Sequence, residues 1–216
     1  MRFVHPETLD KSHAFERWKQ VQGSSASFGE LRDGWQSSPG VIDSPRSDLL
    51  KSLSDRQGGI CAWTGESLEP GNHHLDHVIP QSVQPLRALD PNNLVAAVPQ
   101  HPDPANRPYG AHHRLAYWRP TMVTPRTKDC GTRFRYGRAG GITGTDAGAD
   151  ETITALALNH RVLVLRRQKA IVGYNRRGRL PQDLLKLRQR IGVPVPGKLP
   201  AFAPAIADAL WRHQQP

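Results

Sequence analysis

His73-His74-Leu75-Asp76-His77-Val78-Ile79-Pro80-Gln81-Ser82 is the stretch on which the reading of this chain turns. Three imidazoles and one carboxylate fall within five residues. The sequence then becomes apolar at Val78-Ile79, and Pro80 ends the run. If the stretch is a strand, successive side chains point to opposite faces, so Asp76 and His77 separate. One can hold a metal ion while the other stays free as a base. Downstream, Asp90-Pro91-Asn92-Asn93 reads as a polar turn feeding a second apolar run, Leu94 to Val98. Gly110 to Trp118 reads as a short helix with His112 and His113 in its first turn, stopped by Pro120.

The 216 residues suit one domain with terminal extensions. Apolar residues make up 37%, so the core is modest and the surface large. No apolar run is long enough to cross a bilayer, and Met1-Arg2-Phe3-Val4-His5-Pro6 lacks the apolar region of a signal peptide. A cytoplasmic location is expected. The net charge of +10 points to a polyanionic partner, because each neutralised phosphate releases condensed counterions. Two cysteines, Cys61 and Cys130, are too few for a four-thiolate zinc site or a disulfide framework. Both are expected as free thiols.

Residues 8–22 are expected to be helical, with Phe15, Trp18 and Val21 on one stripe and Gly23 as the stop. Residues 24–40, rich in Ser and Gly, read as a loop anchored by Phe28, Leu31 and Trp35. Ser44-Pro45 starts a helix whose apolar face is Leu49, Leu50 and Leu53. Four prolines between Val98 and Gly110 mark an inserted loop. Arg133 to Gly137 and Ile142 to Thr145 form an expected β-hairpin with Phe134 and Tyr136 on one face. Residues 147–150 read as a loop, followed by a helix carrying Ile153 and Leu156 and another over Asn159 to Ile171. Asn175 to Arg179 is a basic turn, Leu180 to Ile191 an amphipathic helix, Gly192 to Pro200 a linker, and Ala201 to His213 a weak final helix. The expected class is α+β, mainly helical. The divisions are 1–60, an N-terminal helical segment; 61–120, the core; 121–191, the hairpin and basic helices; and 192–216, the linker and last helix.

The order of strand with Asp-His, turn with Asn, second strand, helix with His resembles the HNH endonuclease family and its ββα-metal motif. The match is close at Asp76 to Ser82. More diffusely, residues 49–63, 133–142, 152–159 and Arg166-Arg167 resemble the HNH proteins of retron and Septu-type anti-phage defence systems. Relatives often carry Cys-x-x-Cys where this chain has Cys61-Ala62-Trp63-Thr64, so a structural zinc is not expected.

The resemblance implies a DNA endonuclease dependent on Mg²⁺ or Mn²⁺, acting beside an ABC-type ATPase. His77 would be the general base, Asp76 the first metal ligand and Asn93 the buttress of the loop holding the base. The last metal ligand departs from the family pattern. His113 is preferred and His112 is the alternative, followed by Asn106 and His101. Arg114 would take the basic role against phosphate. Arg133 to Arg138 and Arg161 to Arg179 are candidate backbone contacts. His73 and His74 are expected to be exposed, and Cys61 and Trp63 to pack beneath the first strand. The alternative function is a catalytically degenerate HNH-fold subunit that binds nucleic acid or an ATPase. A restriction or homing nuclease is a third reading.

Overall fold

Ser44 caps the helix that supports the small central sheet. Its hydroxyl accepts from the Ser47 amide at 3.1 Å, and Pro45 occupies the first turn, where no N–H is needed. The helix, α3, runs Pro45–Arg56 and buries Leu49, Leu50 and Leu53. The computed structural model describes residues 1, 3–6, 9–11, 13–23, 26–33, 44–69, 73–99, 108–176, 181–191 and 197–212.

Among the described residues, two helices precede α3 and pack on it. In α1 (Ala14–Gln22) Phe15 is fully buried, but Val21 is 83% exposed and does not belong to the apolar stripe. The stretch expected as a loop contains α2 (Phe28–Asp33). Its start is a capping box: Ser27 Oγ accepts from the Glu30 amide, and Glu30 accepts from the Ser27 amide in return. Leu31 is buried, whereas Trp35 lies outside the described residues.

The strand β1 (His74–His77) pairs antiparallel with β2 (Leu94–Ala97), so that Asp76 faces Val95 and His77 faces Leu94. All four β2 residues are buried, and α3 packs against them. The β2 edge away from β1 is closed by a side chain. Gln57, fully buried, accepts from the Ala96 amide at 2.8 Å and donates to the Ala96 carbonyl at 2.8 Å and the Ile60 carbonyl at 3.0 Å. One primary amide thus stands in for a residue of a third strand. Of the proline-rich insertion, residues 100–107 lie outside the described residues. After it, Gly110 donates its amide to the Leu156 carbonyl at 2.8 Å and leads into the single-turn helix α4 (Ala111–Arg114).

A second two-stranded antiparallel sheet joins β3 (Phe134–Tyr136) to β4 (Ile142–Gly144). Phe134 and Tyr136 are buried and Arg135 is exposed, as the two-residue alternation requires. Gly140 in the turn has φ +86°, and a Cβ there would lie 2.2 Å from the Val164 carbonyl oxygen of α6 (Arg161–Arg176). Only glycine allows that approach. Residues 147–150, expected as a loop, are the first turn of α5 (Ala147–Ala155). Asp146 caps it by accepting from the Ala149 amide at 3.1 Å.

The chain ends in α7 (Pro181–Ile191) and α8 (Ala203–Trp211). Far from being a weak appendage, α8 buries Ala203, Ile206, Ala207 and Leu210 against α6, α7 and β3. The segment before it is no free linker where described: Leu199 donates its amide to Gly58, and Phe202 donates to Gly65. One apolar core runs from Met1 to Leu210. The architecture is α+β, mainly helical, with two small antiparallel sheets. Among the described residues no helix is long and apolar enough to cross a membrane.

Candidate functional site

His77 ends β1, and its ring is held on two sides. Nε2 lies 3.0 Å from the Ala88 carbonyl oxygen, which can only accept, so Nε2 carries the proton. That leaves Nδ1 as the lone-pair nitrogen. The Phe28 ring of α2 meets the imidazole edge-on, with centroids 4.4 Å apart. The Ala88 carbonyl is itself placed by the 78–93 connection, and that connection is fixed by Asn93.

Asn93 is fully buried at the end of a short 3₁₀ turn, Pro91–Asn93, capped by Asp90. Its Oδ1 accepts from the Ile79 amide at 2.8 Å. Its Nδ2 donates to the carbonyls of Ile79 at 3.0 Å and Arg87 at 3.1 Å. The Val78 amide donates to the Asn93 carbonyl at 2.8 Å. Ile79 and Arg87 are thereby tied to one amide side chain.

Asp76 lies on the opposite strand face and is 18% exposed in its side chain. One carboxylate oxygen accepts from the Trp63 indole at 2.7 Å and lies 3.5 Å from the Arg114 guanidinium. Trp63, expected only as packing, is therefore also a hydrogen-bond donor that orients Asp76. No sequence signal separates the two roles.

The expected phosphate-binding role of Arg114 does not match its position. The residue is 3% exposed and donates to the carbonyls of Val78 at 2.9 Å and His77 at 2.7 Å. Its guanidinium also lies 4.9 Å from the centroid of the Trp63 ring. α4 is one turn long and points its fourth side chain inward, so Arg114 braces β1 from beneath. Burial pulls its pKa down, and Asp76 opposes that.

The two helix histidines diverge. Nδ1 of His113 donates to the Ala155 carbonyl at 3.0 Å, which directs an exposed ring toward the end of α5. His112 turns toward β1 instead, where its ring meets that of His74 with centroids 5.1 Å apart. His74 is partly buried and not exposed, because α4 covers it. Its Nδ1 is buried with no hydrogen-bond partner among the described residues, and burial lowers its pKa. Strand alternation puts His74 on the Asp76 face. Two imidazoles and a carboxylate on one face, one nitrogen unsatisfied, are the donor types that suit a divalent ion. Among the described residues no three His, Cys, Asp or Glu side chains converge at ligand distance. His101 and Asn106 lie outside the described residues.

Several expected backbone-contacting arginines are engaged inside the protein. Arg167 is 2% exposed and donates to the carbonyls of Gly140 and Leu158. Arg166 bonds Glu66 at 2.7 Å and the Tyr109 hydroxyl at 2.8 Å. Arg133 pairs with Asp146. Arg135, Arg138, Arg161, Lys169 and Arg176 remain exposed, and 177–179 lie outside the described residues. Glu66 also accepts from Thr64, so hydrogen bonds hold the 61–66 turn. Cys61 is buried there, which pushes its thiol pKa up, and Cys130 is buried as well. No protein-family model matches the chain, and no curated protein matches it.

Proposed function

We propose that the chain is a metal-dependent HNH endonuclease that hydrolyses phosphodiester bonds of DNA. The observation that carries this reading is the linked pair His77 and Asn93: a base tethered through Nε2 to Ala88, on a loop that Asn93 closes. In this reading Nδ1 of His77 takes a proton from a water, and the oxygen of that water attacks phosphorus opposite the departing oxygen. The Ala88 carbonyl holds the tautomer and stabilises the imidazolium that forms. Asp76, oriented by Trp63 and Arg114, and His112 are the residues that would hold the ion; His113 is not, since its ring is committed to Ala155. A divalent ion there would supply Lewis-acid stabilisation at phosphorus and at the leaving oxygen. The nitrogen donors suit Mn²⁺ at least as well as Mg²⁺.

The partner assignment rests on the sequence resemblance alone: an ABC-type ATPase within an anti-phage system of the retron or Septu kind. The last helix, α8, is too deeply buried to supply a docking face for it.

A second reading, a degenerate subunit that binds DNA or the ATPase without cutting, is favoured by the Arg114 guanidinium lying against Asp76. Plasmid incubated with the protein and Mn²⁺ or Mg²⁺, with and without the ATPase, separates the two. The nuclease reading expects nicking that His77→Ala abolishes. Binding without cleavage by either form would establish the second.

A further inference from the structure

Immediately beyond His77 the chain lines a cleft of about 170 Å³. Val78, Ile79 and Asn93 border it from the β1–β2 connection, together with Arg87; Trp118 and Met122 border it from the segment after α4. Its volume is that of about six liquid waters, well below the ~300–1,000 Å³ of a pocket for a drug-sized molecule. The space is of the order of a single planar ring system. The lining mixes an indole, a thioether and aliphatic carbons with the polar side chains of Asn92, Thr124 and Thr127 and two arginines, Arg87 and Arg126, groups that can meet both the face and the edge of an aromatic base beside a phosphate.

The surroundings agree. Arg87 is fixed by two bonds to Asp90, at 2.9 and 2.8 Å, yet its side chain stays 40% exposed. Leu86 is fully exposed, Tyr117 is 43% exposed, and Arg119 lies against the Tyr117 ring while remaining 65% exposed. Leu115 holds φ +52° and is 76% exposed, a positive-φ backbone that non-glycine residues rarely adopt. Apolar and aromatic groups standing in water beside arginines, on a chain of net charge +10, complement a polyanion that offers ring faces. Bases within a duplex are already stacked and cannot enter.

We infer that this cleft receives one unstacked nucleobase of a single-stranded or locally opened nucleic acid. The inference rests on the nuclease reading only in making that strand the substrate.

The test is fluorescence anisotropy in EDTA, where nothing is cut. The probes are a labelled 15-nucleotide oligodeoxythymidylate and a 15-base-pair duplex. Trp118→Ala is expected to weaken oligothymidylate binding about 5- to 100-fold, the loss of one stacked base. Trp118→Phe should retain binding, and duplex affinity should not move. If Trp118→Ala lowers the melting temperature, Trp118→Leu keeps the apolar bulk and carries the comparison. Equal loss on both probes, no loss, or no single-strand binding by the wild type would overturn the inference. Plasmid cleavage is scored separately: Trp118-dependent binding without cleavage sinks the nuclease reading and leaves the cleft assigned, and cleavage with Trp118-independent binding does the reverse.

Discussion

Asn93 closes a ring of hydrogen bonds on Ile79, accepting from its amide at 2.8 Å and donating to its carbonyl at 3.0 Å. Both groups sit in a connection with no sheet partner, so the side chain does what a neighbouring strand would do. Asn93→Ala would leave partly buried polar atoms at Ile79 and Arg87 without their partner, a loss of about 1–3 kcal/mol of folding stability. Asn93→Asp keeps the acceptor but turns a charged oxygen toward the Ile79 and Arg87 carbonyls in a fully buried site, so it should cost at least as much. Urea unfolding measures both. A cost under ~0.5 kcal/mol for Asn93→Ala would show that the loop is held by something else.

Arg114 presents the opposite case, a charged side chain whose work is internal. It is 3% exposed and binds two main-chain carbonyls beside the Asp76 carboxylate. Arg114→Met removes those donors and leaves Asp76 with Trp63 alone, which should cost about 3–5 kcal/mol. Arg114→Lys keeps the charge but not the fork and should cost about half of that. Had Arg114 been a phosphate contact, both variants would fold normally and lose DNA affinity. Thermal unfolding and DNA binding measured side by side distinguish the two roles.

How much of this was legible beforehand depends on range. Ser44-Pro45 announced α3, and alternation at Phe134-Arg135-Tyr136 announced β3, because those signals are local and each has one outcome. Ser27-Phe28-Gly29-Glu30 carried an equally local capping signal that the surrounding Ser and Gly obscured. Asp146 likewise hid the start of α5, since an Asp among glycines fits a turn as well as a cap. Arg114, Arg166 and Arg167 failed for another reason. Charge says that a side chain wants a partner, but not whether the partner is a phosphate or a protein oxygen contributed by a distant part of the chain. Likewise, His112 and His113 are adjacent in sequence, and only the Ala155 carbonyl, 42 residues away from His113, separates their directions.

Acid should expose the Arg133–Asp146 pair. Arg133 donates to both Asp146 carboxylate oxygens, and this bonding holds the Asp146 pKa well below the usual carboxylate range. A depressed carboxylate pKa contributes stability that is fully present above the unfolded value near 3.9 and is lost as pH falls toward the folded one. The melting temperature should therefore drop as pH falls from about 4 to 2. Asp146→Asn retains a cap for α5 but cannot titrate, so its profile should be flatter over that window. Parallel profiles for the two proteins would remove the pair from the account of acid sensitivity.

The metal reading makes its sharpest demand on α4. His112 faces His74 across 5.1 Å on the Asp76 side of β1, whereas His113 donates to Ala155 and points away. A ligand lost from the ion should weaken Mn²⁺ binding by at least about tenfold, since even supporting residues around a metal are worth 10–100-fold. His112→Ala and Asp76→Ala are therefore expected to lose Mn²⁺ affinity in isothermal titration. His113→Ala should stay within about twofold of wild type, because an exposed ring bonded to a carbonyl leaves the ion's surroundings unchanged. Titration reads binding directly, so the result does not depend on whether DNA is cut. If His113→Ala were the damaging substitution, α4 would have to rotate on metal binding, and the face shared by His74 and His112 would lose its assigned role.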